Sequence, residues 1–336
     1  FLLEVLYKNI MQFLKGLNLE IQRLKEVELS ELLDKAWEVR LKNFLPELNV
    51  SAPGLKRYNI EHFSNTTGKF INVSVTGSEC SLHCDHCNAK LLKSMTSAVT
   101  PEKLLKIGKR IKAHGGEGML LSGGADVTGR VPFDDYYDTI TKLKSLGLKM
   151  IVHSGLVDRE EAEALKKAGV DQVLLDIIGD HLTIKRVYHL KRKPVEYLSS
   201  MINLKRAGLE IAPHIVIGLH YGEIRGEYNA LEMISSVLPD IIVFVVLTPK
   251  PETRMTGVKT PAPEEIARLI AIGRILNPEA RVNLGCAKPA NDKIDIENFA
   301  IRAGVNTIAY PGDETLSSAE KLGLKINYSE MCCTLV

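Results

Sequence analysis

From residue 70 onward the chain alternates between short, unbroken apolar runs and longer stretches whose apolar residues recur at helical spacing. The apolar runs lie at 70–76, 118–122, 148–153, 171–176, 209–217, 240–247, 281–285 and 306–310. Helical spacing fills the intervals 101–113, 134–146, 159–168, 195–207, 226–237, 263–275, 292–303 and 317–322. A strand that is apolar without alternation is covered on both faces, which is the signature of a parallel sheet flanked by helices. Glycine follows several of the helical stretches, at Leu146-Gly147, Ala168-Gly169, Ala207-Gly208 and Ala303-Gly304, where a left-handed residue closes a helix. Eight strand–helix units over about 250 residues predict an α/β fold of the (β/α)8 TIM type in preference to an open doubly wound sheet. Such a barrel carries its chemistry on the loops after the C-terminal ends of the strands.

Before residue 50 the pattern differs. Leu2, Leu6, Ile10, Phe13 and Leu17, then Leu29, Leu32, Leu33 and Trp37, follow helical spacing, and Pro46 is a helix stop. The expected division is an N-terminal helical cap with a turn-rich connector over 1–58, a barrel over 59–325, and a tail over 326–336.

Composition narrows the function classes. The chain has 336 residues and a formal net charge of +2, so no basic field exists to hold nucleic acid or an anionic membrane. No apolar run approaches the roughly 20 residues that span a bilayer. These features predict a soluble, cytoplasmic protein. Its six cysteines, Cys80, Cys84, Cys87, Cys286, Cys332 and Cys333, are expected to be reduced thiols rather than disulfides.

Three of those cysteines form Cys80-Ser-Leu-His-Cys84-Asp-His-Cys87, directly after the first barrel strand. A structural zinc site takes four ligands, usually as paired C-x2-C units, so zinc here requires His83 or His86 as the fourth. A four-iron, four-sulfur cluster held by three thiolates keeps one iron open for another molecule. The other predicted strand ends carry further candidates. Backbone N–H groups of Ser122-Gly123-Gly124 are free of bulk and suited to a ligand's polar end. His153 closes the third strand. Asp176 closes the fourth, as an acceptor for ribose hydroxyls or as the N-cap of the next helix. Arg192 lies in a basic turn, Lys191-Arg-Lys193, that is either solvated or meets a carboxylate. Ile217-Gly218, ending the fifth strand, offers an apolar backbone edge to a flat ring, and His214 in the same strand is either a core histidine or a functional one.

The cysteine triplet resembles the motif of radical S-adenosylmethionine (SAM) enzymes. That resemblance implies a SAM-binding 4Fe–4S cluster on Cys80, Cys84 and Cys87, with SAM on the open iron as source of a 5′-deoxyadenosyl radical. His86 replaces the usual aromatic residue before the third cysteine. Gly123-Gly124-Ala125 matches the glycine-rich segment for the SAM amino group, without its acidic residue. The segment order from Cys80 to Tyr310 looks more narrowly like the biotin synthase group. On that resemblance Asp176 takes the ribose role, Arg192 the SAM carboxylate, and Ile215–Leu219 the adenine. Arg281-Val-Asn-Leu-Gly-Cys286 falls on the strand whose last residue in biotin synthase is an arginine ligand of a second cluster. Here that residue is Cys286, and the three cysteines of biotin synthase on neighbouring strands are absent, their stretches ending in Ser122, His153 and His214. A tail that folds back would bring Cys332 and Cys333 beside Cys286, so an auxiliary iron–sulfur cluster is expected there.

An auxiliary cluster in such a barrel implies sulfur insertion. The chain is most similar to one component of the archaeal-type, two-protein lipoyl synthase, which places sulfur in an octanoyl chain on a carrier protein or peptide. That implies a reductant such as ferredoxin and a sister radical SAM subunit as partners. A different radical SAM reaction, methylthiolation or rearrangement, and a zinc-stabilised non-enzymatic barrel remain as alternatives.

Overall fold

The computed structural model describes residues 15–336. The predicted positions Leu2, Leu6, Ile10 and Phe13 therefore lie outside the described residues. A helix over 15–25 (α1) and Leu29–Asn43 (α2) open the described chain and are followed by β1, Glu47–Ser51. A short hairpin, β2 (Asn59–Ile60) and β3 (Phe63–Ser64), precedes the repeating units.

The eight apolar runs are all strands: β4 (Phe70–Ser74), β6 (Gly118–Ser122), β7 (Lys149–His153), β8 (Gln172–Asp176), β9 (Glu210–Ile217), β10 (Ile241–Val246), β11 (Arg281–Leu284) and β12 (Thr307–Ala309). A two-residue strand, β5 (Thr96–Ser97), pairs with β4, and β13 (Lys325–Ser329) ends the series. Between them run α3 (Pro101–Ala113), α4 (Tyr137–Ser145), α5 (Arg159–Ala168), α6 (His181–Arg186), α7 (Pro194–Arg206), α8 (Glu227–Ser236), α9 (Pro263–Leu276), α10 (Lys293–Arg302) and α11 (Asp313–Lys321). Sequence spacing missed the single-and-a-half turn of α6, which is too short to show a period.

All the strands except the hairpin form one curled parallel sheet in the order β13-β1-β12-β11-β10-β9-β8-β7-β6-β4-β5. The predicted units thus stand in sequence around the curl, as a (β/α) barrel requires. Five strands were not expected, the two-residue β2, β3 and β5 and the longer β1 and β13. Residues 47–51, read as part of a helical extension, form β1, which pairs in parallel with both β12 and β13. Residues 325–329, which straddle the expected boundary between barrel and tail, are an edge strand of the sheet. Leu48 and Val50 of β1 are fully buried, which explains why the segment joins the barrel wall. At the seam the Gly54 N–H donates to the Phe70 carbonyl at 3.0 Å, just before β4.

Local chemistry sets the helix ends. Thr100 caps α3 by accepting from the Lys103 N–H, with Pro101 at the first turn, and Asp158 caps α5 by accepting from the Glu161 N–H at 2.8 Å. Helix α3 buries Leu104, Ile107 and Ile111 against the sheet while its lysines face out. Among the described residues, no helix is long and apolar enough to cross a membrane.

Candidate functional site

The cysteine loop leaves β4 at the C-terminal mouth and is fixed at both ends. At the first end, Val75 and Ser81 donate backbone bonds to Ser122 and Ala125, and the Gly124 N–H donates to Thr76 Oγ1 at 2.7 Å. A Cβ on Gly124 would lie 1.9 Å from the Glu79 carbonyl oxygen and 2.5 Å from Cys80 Cα. Gly124 is therefore small because the cysteine loop passes over it, and its N–H is already spent. Gly123 and Ser122 remain half-buried beside it, with Ser122 Oγ donating to the His153 carbonyl at 3.2 Å.

At the other end the anchor is Asp85, between the second and third cysteines and only 3% exposed. His189 Nε2 lies 2.9 Å and Arg254 Nη1 3.2 Å from its Oδ1, and the Tyr221 hydroxyl donates to its Oδ2. Nothing in the sequence spacing marked these residues. They come from three separate loops, and only the fold brings them together.

Cys84 is buried, while Cys80 and Cys87 are half-buried. A hydrogen bond from Cys84 and the nearby His86 hold Cys87 down to about 4 despite burial; Cys84, facing that thiolate, is pushed well above the usual thiol range. The two histidines that could complete a zinc site are placed differently. His83 is exposed and its Nδ1 lies 3.1 Å from Asn88 Oδ1; His86 leans on the Tyr188 ring at 5.3 Å, with its Nδ1 buried and without a partner. Among the described residues, no three His, Cys, Asp or Glu side chains are arranged to hold a single metal ion. Three soft donors spread along one loop fit an iron–sulfur cluster. On the loop's outer side a cleft of about 360 Å³ is lined by His83, Cys84, Asp85, Asn88, Glu252, Thr253 and Arg254.

The inner side faces Asp176, at the end of β8. His153 Nε2 lies 3.5 Å from Asp176 Oδ1, and the Tyr188 hydroxyl donates to Oδ2 at 3.4 Å. Burial would raise this carboxyl, but the His153 bond and the charges of His153, His214 and His86 pull it down to about 2. It is not a helix cap: α6 is capped by Asp180, which accepts from Thr183 N–H and Oγ1. His214 stacks edge-on against His153 at 5.6 Å and is lowered to about 4, by burial and then by the His153 charge.

Residues 74–234 match the family model described as the Radical SAM superfamily. The match spans just under half of the chain, and over it the chain is similar to radical SAM enzymes. Among curated proteins, the biotin synthase of Neorickettsia sennetsu is 26% identical over 304 residues, covering 83% of this chain and 88% of that one. Biotin synthase from Francisella tularensis subsp. holarctica is 26% identical over 341 residues, covering 93% and 99%. Among solved structures, methylornithine synthase matches with a TM-score of 0.64 at 16% identity, covering 95% of this chain and 97% of that one. The hydrogenase maturase HydG from Carboxydothermus hydrogenoformans matches with a TM-score of 0.61 at 14% identity, covering 99% and 85%. These structures share the fold.

The remaining residues expected to meet SAM are placed as follows. Arg192, two residues before α7, reaches the loop after β6 through a 3.1 Å bond to the Thr128 carbonyl, and pairs with Glu196 at 2.9 Å. Ile217 is fully buried, and the Gly218 N–H donates to the buried Glu227 at 2.8 Å, so that amide is not open to a ligand.

The C-terminal tail does turn inward. The Cys333 carbonyl accepts from Asn283 Nδ2 of β11 at 2.6 Å, and the Thr334 carbonyl accepts from Gln172 Nε2 of β8 at 3.2 Å. A segment bonded to side chains of both β8 and β11 lies on the concave side of the curl, and Cys333 and Thr334 are accordingly buried. Cys286, just past β11, is open to solvent yet walled in by the mouth; that enclosure, followed by the Cys332 charge, raises its thiol. A hydrogen bond from Cys333 lowers Cys332 to about 7, while Cys333 is raised. The Cys332 charge also acts on His153. Two thiol groups therefore share one barrel: the loop triplet, and Cys286 with the inturned tail.

Proposed function

We propose that this radical SAM protein inserts sulfur into an unactivated carbon, as a component of a lipoyl synthase acting on a protein-bound octanoyl chain. The observation that carries this reading is the second thiol group, Cys286 with Cys332 and Cys333, on the same concave wall as the SAM-facing Asp176 and His153. The relatives named biotin synthase support a sulfur-inserting chemistry. Ser122, His153 and His214, in place of that family's cysteines, argue for a different substrate.

Cys80, Cys84 and Cys87 would hold a 4Fe–4S cluster, and Cys286, Cys332 and Cys333 an auxiliary one. When bound, the first supplies the electron that cleaves SAM to a 5′-deoxyadenosyl radical, and the second supplies sulfur. The chain's own residues orient and enclose. Asp176, ionised at neutral pH, accepts the ribose hydroxyls, and Arg192 offers its remaining N–H groups to the SAM carboxylate. The inturned tail fills the lower lumen, which keeps water from a carbon radical formed at the mouth. The outer cleft beside Cys84 leaves the loop open to a reductant of the ferredoxin type.

Iron and sulfide analysis of anaerobically prepared protein tests this. About eight irons per chain are expected for two clusters, against about four for one. Cys84→Ala should abolish SAM cleavage, whereas Cys286→Ala should retain it and lose sulfur transfer. A Cys84→Ala protein that still cleaves SAM removes the first assignment. Sulfide that never leaves the protein during a turnover favours a rearrangement, which transfers no sulfur, instead.

A further inference from the structure

The barrel mouth beside Cys286 carries more positive charge than its contacts use. Glu297 of α10 is fully buried, and its Oε2 accepts from the Gly312 N–H at 3.0 Å and Thr315 Oγ1 at 2.6 Å. Lys288, with a side chain only 3% exposed, lies 3.3 Å from Glu297 Oε1 and donates to the carbonyls of Gly285 and Ala309. That buried pair is self-contained, since one ammonium balances one carboxylate. Two further ammoniums are then left over. Lys293, the first residue of α10, sits 3.5 Å from the same Oε1 and is 30% exposed. Lys56 is exposed, with its Nζ 4.3 Å above the Tyr310 ring.

The framework that holds these lysines is stiff. The Tyr310 hydroxyl donates to the Pro53 carbonyl at 2.6 Å, and the Tyr58 hydroxyl to the Pro311 carbonyl at 2.7 Å, tying the segment after β1 to the segment after β12. Asp292 makes no side-chain capping bond to α10, so the first-turn N–H groups next to Lys293 keep their positive end. Burial lowers the Lys56 ammonium, Cys286 and Glu297 pull it back up, and Lys293 and Lys250 lower it further, as expected of cations gathered without enough anions.

We infer that Lys56, over the Tyr310 ring, and Lys293, at the start of α10 beside Gly312, form a carboxylate-binding subsite for the substrate, on the Cys286 side of the mouth. This rests on the sulfur-insertion reading for its place in the reaction, but not for its charge. An octanoyl-lysine amide is neutral, so the carboxylate comes either from a free acid or from acidic side chains flanking the modified lysine of a carrier.

The test is equilibrium binding to the anaerobically reconstituted full chain with SAM present. The probes are a fluorescent octanoyl-lysine peptide flanked by glutamates, the same peptide with glutamines, and octanoate and octanamide as competitors. The charged probe should bind about tenfold or more tightly than its neutral counterpart, in keeping with two charge-assisted contacts. The double variant Lys56→Gln/Lys293→Gln should lose that preference while keeping its iron content. Preference confined to the peptides assigns the carboxylate to a carrier; preference for octanoate over octanamide assigns it to a free acid. Equal affinities within both pairs, including no saturable binding by any probe, overturn the subsite. So does a double variant that keeps the preference, or one that loses iron, which would make the lysines counterions of a cluster. Charge preference without sulfur transfer to either substrate would instead sink the lipoyl reading and leave the subsite standing.

Discussion

Glu161 shows how a single side chain can couple this barrel to pH. It lies on the buried face of α5, its Oε2 accepting from Arg130 Nε at 2.9 Å while its Oε1 is buried without a partner. Burial pushes its carboxyl up from 4.5 to about 7, against the pull of Arg130. Folding therefore raises the proton affinity of this group. Its contribution to stability is full below the unfolded value of 4.5 and is lost as pH rises through about 7. A shift of this size corresponds to about 1–3 kcal/mol once relaxation is allowed for. Between pH 4.5 and pH 7.5 the unfolding free energy of wild type should fall relative to that of Glu161→Gln by about this amount. Denaturant titrations at both pH values measure it, and parallel curves for the two proteins would dispose of the assignment.

At the scale of elements, the C-terminal tail is where sequence and fold diverge most usefully. Its cysteines were visible as candidates, and so were the eight apolar strands, because strands covered on both faces are unbroken runs. Strands β1 and β13 were not visible. Glu47, Asn49 and Ser51, and Lys325, Asn327 and Ser329, place a polar residue at every second position, and each strand takes the other as a neighbour. Their fate depends on partners far away in the chain. The anchors of the cysteine loop were hidden for the same reason, since Asp85 meets His189, Tyr221 and Arg254 across 104, 136 and 169 residues. Spacing within a motif is legible; closure between motifs is not. The tail follows β13 into the lumen and occupies Asn283, Gln172 and Arg281 with its carbonyls. Deleting Cys332–Val336 leaves Asn283 Nδ2 unpaired, while Gln172 and Arg281 keep Glu210 as acceptor, and should lower the melting temperature and cut the iron content from about eight to about four per chain. Full-length Cys332→Ser/Cys333→Ser should lose the iron alone. A truncated chain that keeps all its iron would remove the tail from the auxiliary site.

For the molecule as a whole, the reactive mouth needs a rigid base, and two buried arginines supply one. Arg274 of α9 and Arg40 of α2 have no accessible surface. Arg274 donates to the carbonyls of Gly304 at 3.0 Å, Ala280 at 2.7 Å, Pro278 at 3.2 Å and Asn277 at 3.3 Å, and to Asn306 Oδ1. Arg40 donates to the carbonyls of Leu45 at 3.1 Å, Val305 at 3.4 Å and Glu47. Together they join α2, β1, the turn before β11 and the turn before β12, all at the end opposite the mouth. Burying a guanidinium is costly, and these carbonyls offset the cost only while every donor is used. Arg274→Met removes the charge but strands the carbonyls of Gly304, Pro278 and Ala280, while Asn277 keeps the Ala280 N–H and Asn306 Oδ1 the Val282 N–H, a loss of about 3–5 kcal/mol. Arg274→Lys keeps the charge with fewer donors and should fall between the two. Because these bonds sit at the base, the iron content of the folded Met variant at low temperature should match wild type while its thermal unfolding moves down by several degrees. A Met variant that unfolds like wild type would show that the arginine's desolvation cost cancels its bonds. One that is stable but lacks iron would show that the base of the barrel, and not the mouth alone, shapes the site.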